Sequence, residues 1–144
     1  MSEINIKPSH WSQKNNKDVL NAITSVFALI TCSDGELSGD EATSFLYEVN
    51  KSGLSTEKDN NELLNELYNI RDLLKQDFKS GKQFAINQLK IIKYDKEVVK
   101  IALQFAQIAI IANKSIKMSE EYIMKEICDI LEVNAEEYCL AETA

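Results

Sequence analysis

Proline and glycine, the residues that most often interrupt a helix, are scarce in this chain of 144 residues: one proline, Pro8, and four glycines. Long segments are therefore free to be helical. No segment alternates apolar and polar residues over strand lengths, so β structure is not expected. Histidine is as rare. His10 is the only one, which excludes a histidine-rich transition-metal site and any mechanism that needs two imidazoles. Beside Trp11 it reads as a surface or docking residue. Cys32, Cys128 and Cys139 form no C-x-x-C pair. An odd number of scattered thiols fits a reducing cytoplasm better than a disulfide framework.

A basic surplus and a long apolar run are also missing. Sixteen Lys and Arg face 23 Asp and Glu, for a net charge of −7. That balance opposes nonspecific attraction to nucleic acid or anionic lipid and suits cations or basic partners. No basic stripe with interleaved aromatics occurs, so a nucleic-acid partner is not expected. The most apolar run, "VVKIALQFAQIAIIA", is broken by Lys100, Gln104 and Gln107. It is too short and too polar to span a bilayer and suits a core helix. The opening "MSEINIKPSHWSQKNNK" is too polar for a signal peptide. A cytoplasmic protein with no membrane span is expected. The patterns G-x-x-x-x-G-K-[ST], G-x-S-x-G and H-E-x-x-H do not occur. Catalysis has no visible apparatus, and the chain reads as non-enzymatic.

What is present describes an all-α protein. A hydrophobic content of 44% with 27% charged residues separates it from disordered chains, and its length suffices for one cored domain. Residues 1–16 read as an N-terminal arm, with Trp11 as a possible anchor to the body, and 17–144 as a single helical domain. Val19, Leu20, Ile23, Val26, Phe27 and Ile30 define one buried face of a first helix that stops at Ser33-Asp34-Gly35. Ser38-Gly39-Asp40-Glu41 matches the capping box S-x-x-E. It opens a helix carrying Phe45, Leu46 and Val49 that Gly53 closes. A long polar helix is predicted from about Glu57 to Lys79, broken by Ser80-Gly81. A shorter one follows with Phe84, Ala85, Leu89 and Ile92, ending near Tyr94-Asp95. Val98, Ile101, Ala102, Phe105, Ile108, Ala109 and Ala112, widened by Leu103, Ile110 and Ile111, mark a helix expected at the centre of the bundle. Ile123, Ile127, Ile130 and Leu131 mark another. Asn134 then caps a short final helix, with Glu137 three residues on. The total is about seven helices.

A faint duplication runs through this pattern. An offset of 79 positions lays Val19 on Val98, Val26 on Phe105, Leu37 on Ile116, Glu41 on Glu120 and Phe45 on Met124. Both stretches read as long apolar helix, polar turn, amphipathic helix, as two halves related by a rough twofold would. "FALITCSDGELSGDE" and its following helix resemble the first DG-x-x-x-x-x-E motif of the TerB-like family, which includes bacterial tellurite-resistance proteins. "VVKIALQFAQIAIIANKSIKMSEEYIMKEICDILEVNAEEY" is similar to that family's second motif helix pair. The resemblance covers residues 17 to 141. It implies about seven helices with pseudo-twofold organisation, an acidic surface able to bind metal, and no enzymatic activity. It also implies a link to tellurite or chemical-stress resistance. One departure stands out: Asn113-Lys114 replaces the second Asp-Gly, although Glu120 remains.

The candidate site lies in "TCSDGELSGDE". Asp34, Glu36, Asp40 and Glu41, joined by Glu120 from the other half, supply the oxygen ligands that Ca2+ or Mg2+ requires. The spacing is not that of an EF-hand, so any site is composite. Turn and capping chemistry offers a metal-free account of Gly35, Ser38, Asp40 and Glu41 and leaves Asp34 least explained. Cys32 reads as a small buried residue, since the charges around it are negative and do not activate a thiolate. The sequence thus leaves two main readings: a TerB-like module that binds a protein partner under cation control, or a metal-independent interaction domain using its long polar helix or Trp11 arm. Small-oxidant chemistry at Cys32 is an outlying third.

Overall fold

The computed structural model describes residues 12–33, 37–112 and 118–137, and every regular element within them is helical. The helices are α1 (Ser12–Thr31), α2 (Gly39–Ser52), α3 (Asn60–Gln76), α4 (Phe78–Ile92), α5 (Lys96–Ala112) and α6 (Met118–Ile130). Single 3-10 turns occupy Glu57–Asp59 and Ala135–Glu137. The all-α expectation holds, with six α-helices among the described residues rather than about seven. The final helix expected after Asn134 is there one 3-10 turn, whose Glu136 N–H donates to Asn134 Oδ1 at 3.0 Å. Helical structure begins at Ser12, inside the stretch read as an arm; residues 1–11, with His10 and Trp11, lie outside the described set. Among the described residues, no helix is long and apolar enough to cross a membrane.

The centre of the bundle is α1. Every side chain from Ala22 to Cys32 is buried, and α1 packs against α3, α4, α5 and α6. The expectation of a single buried face on this helix is corrected. Its two buried threonines are satisfied within the helix itself: Thr24 Oγ1 donates to the Leu20 carbonyl at 2.7 Å, and Thr31 Oγ1 to the Phe27 carbonyl at 2.8 Å. Ala22 and Ala28 keep the remaining flanks slim. The strongly apolar α5, expected at the centre, instead lies against α1, with Phe105 and Leu103 buried and Ile111 left 59% exposed. Phe45 of α2 joins the two: its ring stands 4.9 Å from that of Phe27 and 6.1 Å, edge-on, from that of Phe105.

The helix ends follow local chemistry. Ser38 caps α2 in a complete capping box with Glu41, and Gly53, at φ 84°, closes it as expected. The expected break at Ser80-Gly81 falls instead at Asp77, which is extended (φ −155°, ψ 102°) and caps α4 through Ser80. Gly81 lies inside α4, buried against α3. A Cβ there would stand 2.7 Å from both N and Cα of Leu74. This glycine serves close approach of two backbones rather than termination. At the end of α6, Val133 N–H donates to the Cys128 carbonyl and Glu132 N–H to that of Asp129, the paired bonds of a Schellman motif. The left-handed position is held by Glu132 at φ 60°, where glycine is usual.

Two stability changes follow. Gly81→Ala is expected to destabilise by about 2 kcal/mol, because the added methyl meets backbone that cannot rotate away; urea unfolding reads this directly. Glu132→Gly is expected to stabilise by about 0.5–1 kcal/mol by removing left-handed strain, and a lower urea midpoint for that variant would contradict the account.

Candidate functional site

The candidate turn joins the end of α1 to the start of α2. Asp34, Gly35 and Glu36 lie outside the described residues, as do Asn113 and Lys114. On the α1 side, Thr31 and Cys32 are buried; on the α2 side, Leu37 is buried and Asp40 exposed. Glu41 is only 4% exposed, and its Oε1 accepts the Ser38 N–H at 2.9 Å. Ser38 Oγ in turn accepts the Glu41 N–H at 3.0 Å. Four N–H groups at a helix start lack intrahelical acceptors, and this exchange uses the glutamate carboxylate for structure.

Glu120 occupies the corresponding place in the second half. It is fully buried in the first turn of α6, and its neighbour Glu121 is 7% exposed. Both sit at the positive end of a helix, where the dipole favours negative charge. The burial of Glu121 had no signal in the sequence, since a glutamate in a first helical turn is ordinarily solvated. The offset of 79 positions that takes Glu41 to Glu120 also takes Gly39, the first residue of α2, to Met118, the first of α6. Val19 and Val98, Val26 and Phe105, and Phe45 and Met124 are buried on both sides of the offset.

Among the described residues, no three His, Cys, Asp or Glu side chains converge in a way that could hold a metal ion. The described candidates, Asp40, Glu41 and Glu120, thus divide into one solvated carboxylate and two buried at helix starts. Cys32 stands near Glu41 and Arg71, and burial pushes its thiol above the ordinary range. The Thr31 side chain and Leu37 backbone oppose that rise by hydrogen bonding, Glu41 adds to it, and Arg71 opposes it. A raised thiol holds its proton at neutral pH, which removes the nucleophilic form. Cys128 is fully buried, and Cys139 lies outside the described residues.

Two surface grooves flank α3, and the sequence pattern had not located them. One, about 360 Å³, lies between α1 and α3, with Lys17 and Leu20 facing Asp59, Glu62 and Glu66. The other, about 340 Å³, runs between α3 and α4, with Leu73 and Phe84 beside Glu66, Asp72 and Gln76. The adjacent leucines 73 and 74 were the available signal, because on an amphipathic helix packed along one side neighbouring residues point about 100° apart and only one faces the core. Leu74 is buried and Leu73 is 40% exposed. No protein-family model, curated protein or solved structure matches the chain.

Thiol reactivity tests the description of Cys32. Iodoacetamide alkylation of Cys32 in the native protein is expected to run ~100-fold slower at pH 7.5 than in urea, from burial and the raised pKa together. Peptide mapping by mass spectrometry would follow it, and comparable rates in the two states would contradict a buried, protonated thiol.

Proposed function

We propose that this chain is a non-enzymatic, TerB-like module of the cytoplasm that acts by binding a protein partner. In this reading the chain forms two three-helix halves related by a rough twofold, with α1–α2 of one matching α5–α6 of the other. The observation that carries it is the matched pair Glu41 and Glu120: two acidic residues, one offset apart, buried in the first turns of helices that begin at matching positions. A buried carboxylate is tolerated only where partners satisfy it, so recurrence at equivalent places supports a repeated architectural element rather than chance. The same resemblance supplies the link to tellurite and chemical stress, which rests on analogy of fold and motif.

The cation belongs to this proposal through the turn. Asp34, Glu36, Asp40 and Glu41, with Glu120, would hold Ca2+ or Mg2+, and the ion would relieve repulsion among the acids. A second reading, a metal-independent interaction domain, is favoured by one feature: Glu41 Oε1 is already engaged by the Ser38 N–H. Carboxylates at a helix start need no ion when backbone donors neutralise them.

Thermal unfolding separates the readings. With cation control, millimolar CaCl2 or MgCl2 is expected to raise Tm by several degrees by binding the native state alone, and Asp34→Asn to abolish the rise. Equal responses of wild type and variant would leave the metal-independent domain. Affinity capture from the native cell, with and without chelator, tests the partner itself.

A further inference from the structure

We propose that the exposed face of α3, with the grooves on either side of it, is the docking surface for a partner's amphipathic helix that is basic at one end and apolar at the other. This rests on the reading that the chain works through a protein partner, and it gives that partner a chemistry.

The face is one stripe. Glu62, Glu66, Asn69, Leu73 and Gln76 recur at the spacing of a single helix side. They span roughly 21 Å at 1.5 Å per residue, a length that a partner helix of about four turns would cover. The stripe changes character along its course. At its start, Asp59, Glu62 and Glu66 border the α1–α3 groove, whose wall includes Leu20 and the single basic residue Lys17. At its end, Leu73 and Phe84, 40% and 36% exposed, border the α3–α4 groove. Glu66 lines both grooves, so the two approach each other along this stripe.

The helix dipole accounts for Glu62 in the first turn of α3, but local stability does not account for Glu66 or Leu73. Glu62 and Glu66 are four apart, a like-charge pair that weakens a helix. Among the described residues, neither makes an ion pair or hydrogen bond. Asp72, by contrast, is held by Arg71 at 2.8 Å. Two unneutralised acids beside an apolar floor complement lysine or arginine on a helix whose other residues are apolar, the helix-in-groove mode of recognition. Charge would guide the encounter and orient the helix, and Leu73 and Phe84 would anchor it.

The test uses the full chain and a defined probe: a fluorescein-labelled synthetic helix of about eighteen residues, lysines clustered at one end, leucine and phenylalanine at helical spacing at the other. A peptide of the same composition with evenly spread lysines is the control. Wild type is expected to bind the clustered peptide at least about fivefold more tightly than the spread one by fluorescence polarisation. Glu62→Lys with Glu66→Lys should weaken binding about tenfold and flatten its salt dependence. Leu73→Ala with Phe84→Ala should weaken it about fivefold and leave the salt dependence intact. All four residues are on the surface, and circular dichroism checks the fold of each variant. Asp129→Lys with Glu136→Lys, an equal charge change on α6 and the turn after it, should stay within about twofold of wild type. Equal losses from the two charge-reversed variants would reduce the effect to net charge and overturn the proposal. So would no binding of the clustered peptide, or concentration-dependent dimerisation that Leu73→Ala with Phe84→Ala removes, which would assign the face to a second copy. Capture of the native partner separates this proposal from the reading beneath it. A partner retained by the Glu62→Lys, Glu66→Lys variant overturns the surface and leaves the reading standing. No partner on wild type overturns both.

Discussion

A helical segment buried on every side has no solvated face to absorb misfit, and α1 is such a segment from Ala22 to Thr31. Its neighbours α3, α4, α5 and α6 can pack around it only where its flanks are slim or its polar groups already satisfied. Each buried Val, Ile, Leu or Phe along it contributes roughly 1.5–3 kcal/mol relative to exposure. That gain would be eroded by any hydroxyl left without a partner. Thr24 and Thr31 avoid this by bonding back to their own helix; Ser25 Oγ, fully buried, has no partner among the described residues. The central helix is thus a compromise between size and satisfaction, and the others are arranged by what it can accept.

Closeness at the periphery comes from the same constraint. For α3 and α4 both to reach α1, the chain between them turns within one residue, Asp77, and the two backbones meet at Gly81. On the other side, Phe45 fills the space between Phe27 and Phe105, so α2 is held by an aromatic wedge across α1 and α5. That wedge is aimed by the capping box, since the first turn of α2 sets the direction of the whole helix. Glu41 therefore has a structural task with or without an ion. The cap contributes about 1 kcal/mol, enough to account for the residue type and too little to exclude a further ligand on its second oxygen.

Much of this was legible in the sequence because it is local. The capping box at Ser38, the left-handed end at Gly53 and the junction at Asp95 depend on residues within a turn of one another, and each stands where the pattern put it. Burial of α1 on all sides from Ala22 onward was not legible, because serine and threonine read as polar whether they face water or their own helix. Gly81 was misread for a related reason: one letter serves both termination and close approach, and only the neighbouring helix decides between them. Of the acidic set, the sequence could place Glu41 and Glu120 at equivalent steps of a duplicated pattern. It could not say that both are buried, since that depends on helices distant in the chain.

The distribution of charge divides the acids by purpose. Asp40, Glu41, Glu120 and Glu121 stand in first turns, where the helix dipole favours them and a stability argument is sufficient. Glu62 shares that advantage at the start of α3. Glu66 does not: it is a turn further along, repelled by Glu62, and forms no ion pair among the described residues, although Lys17 borders the same groove. A lysine there would form a favourable pair with Glu62, just as a polar residue would serve better than Leu73 on an exposed face. Both residues run against what α3 alone would favour, and they lie on the same stripe. In the proposed docking, contact with a partner helix rewards the unpaired acid and the exposed leucine together, a gain that neither residue obtains from α3 alone.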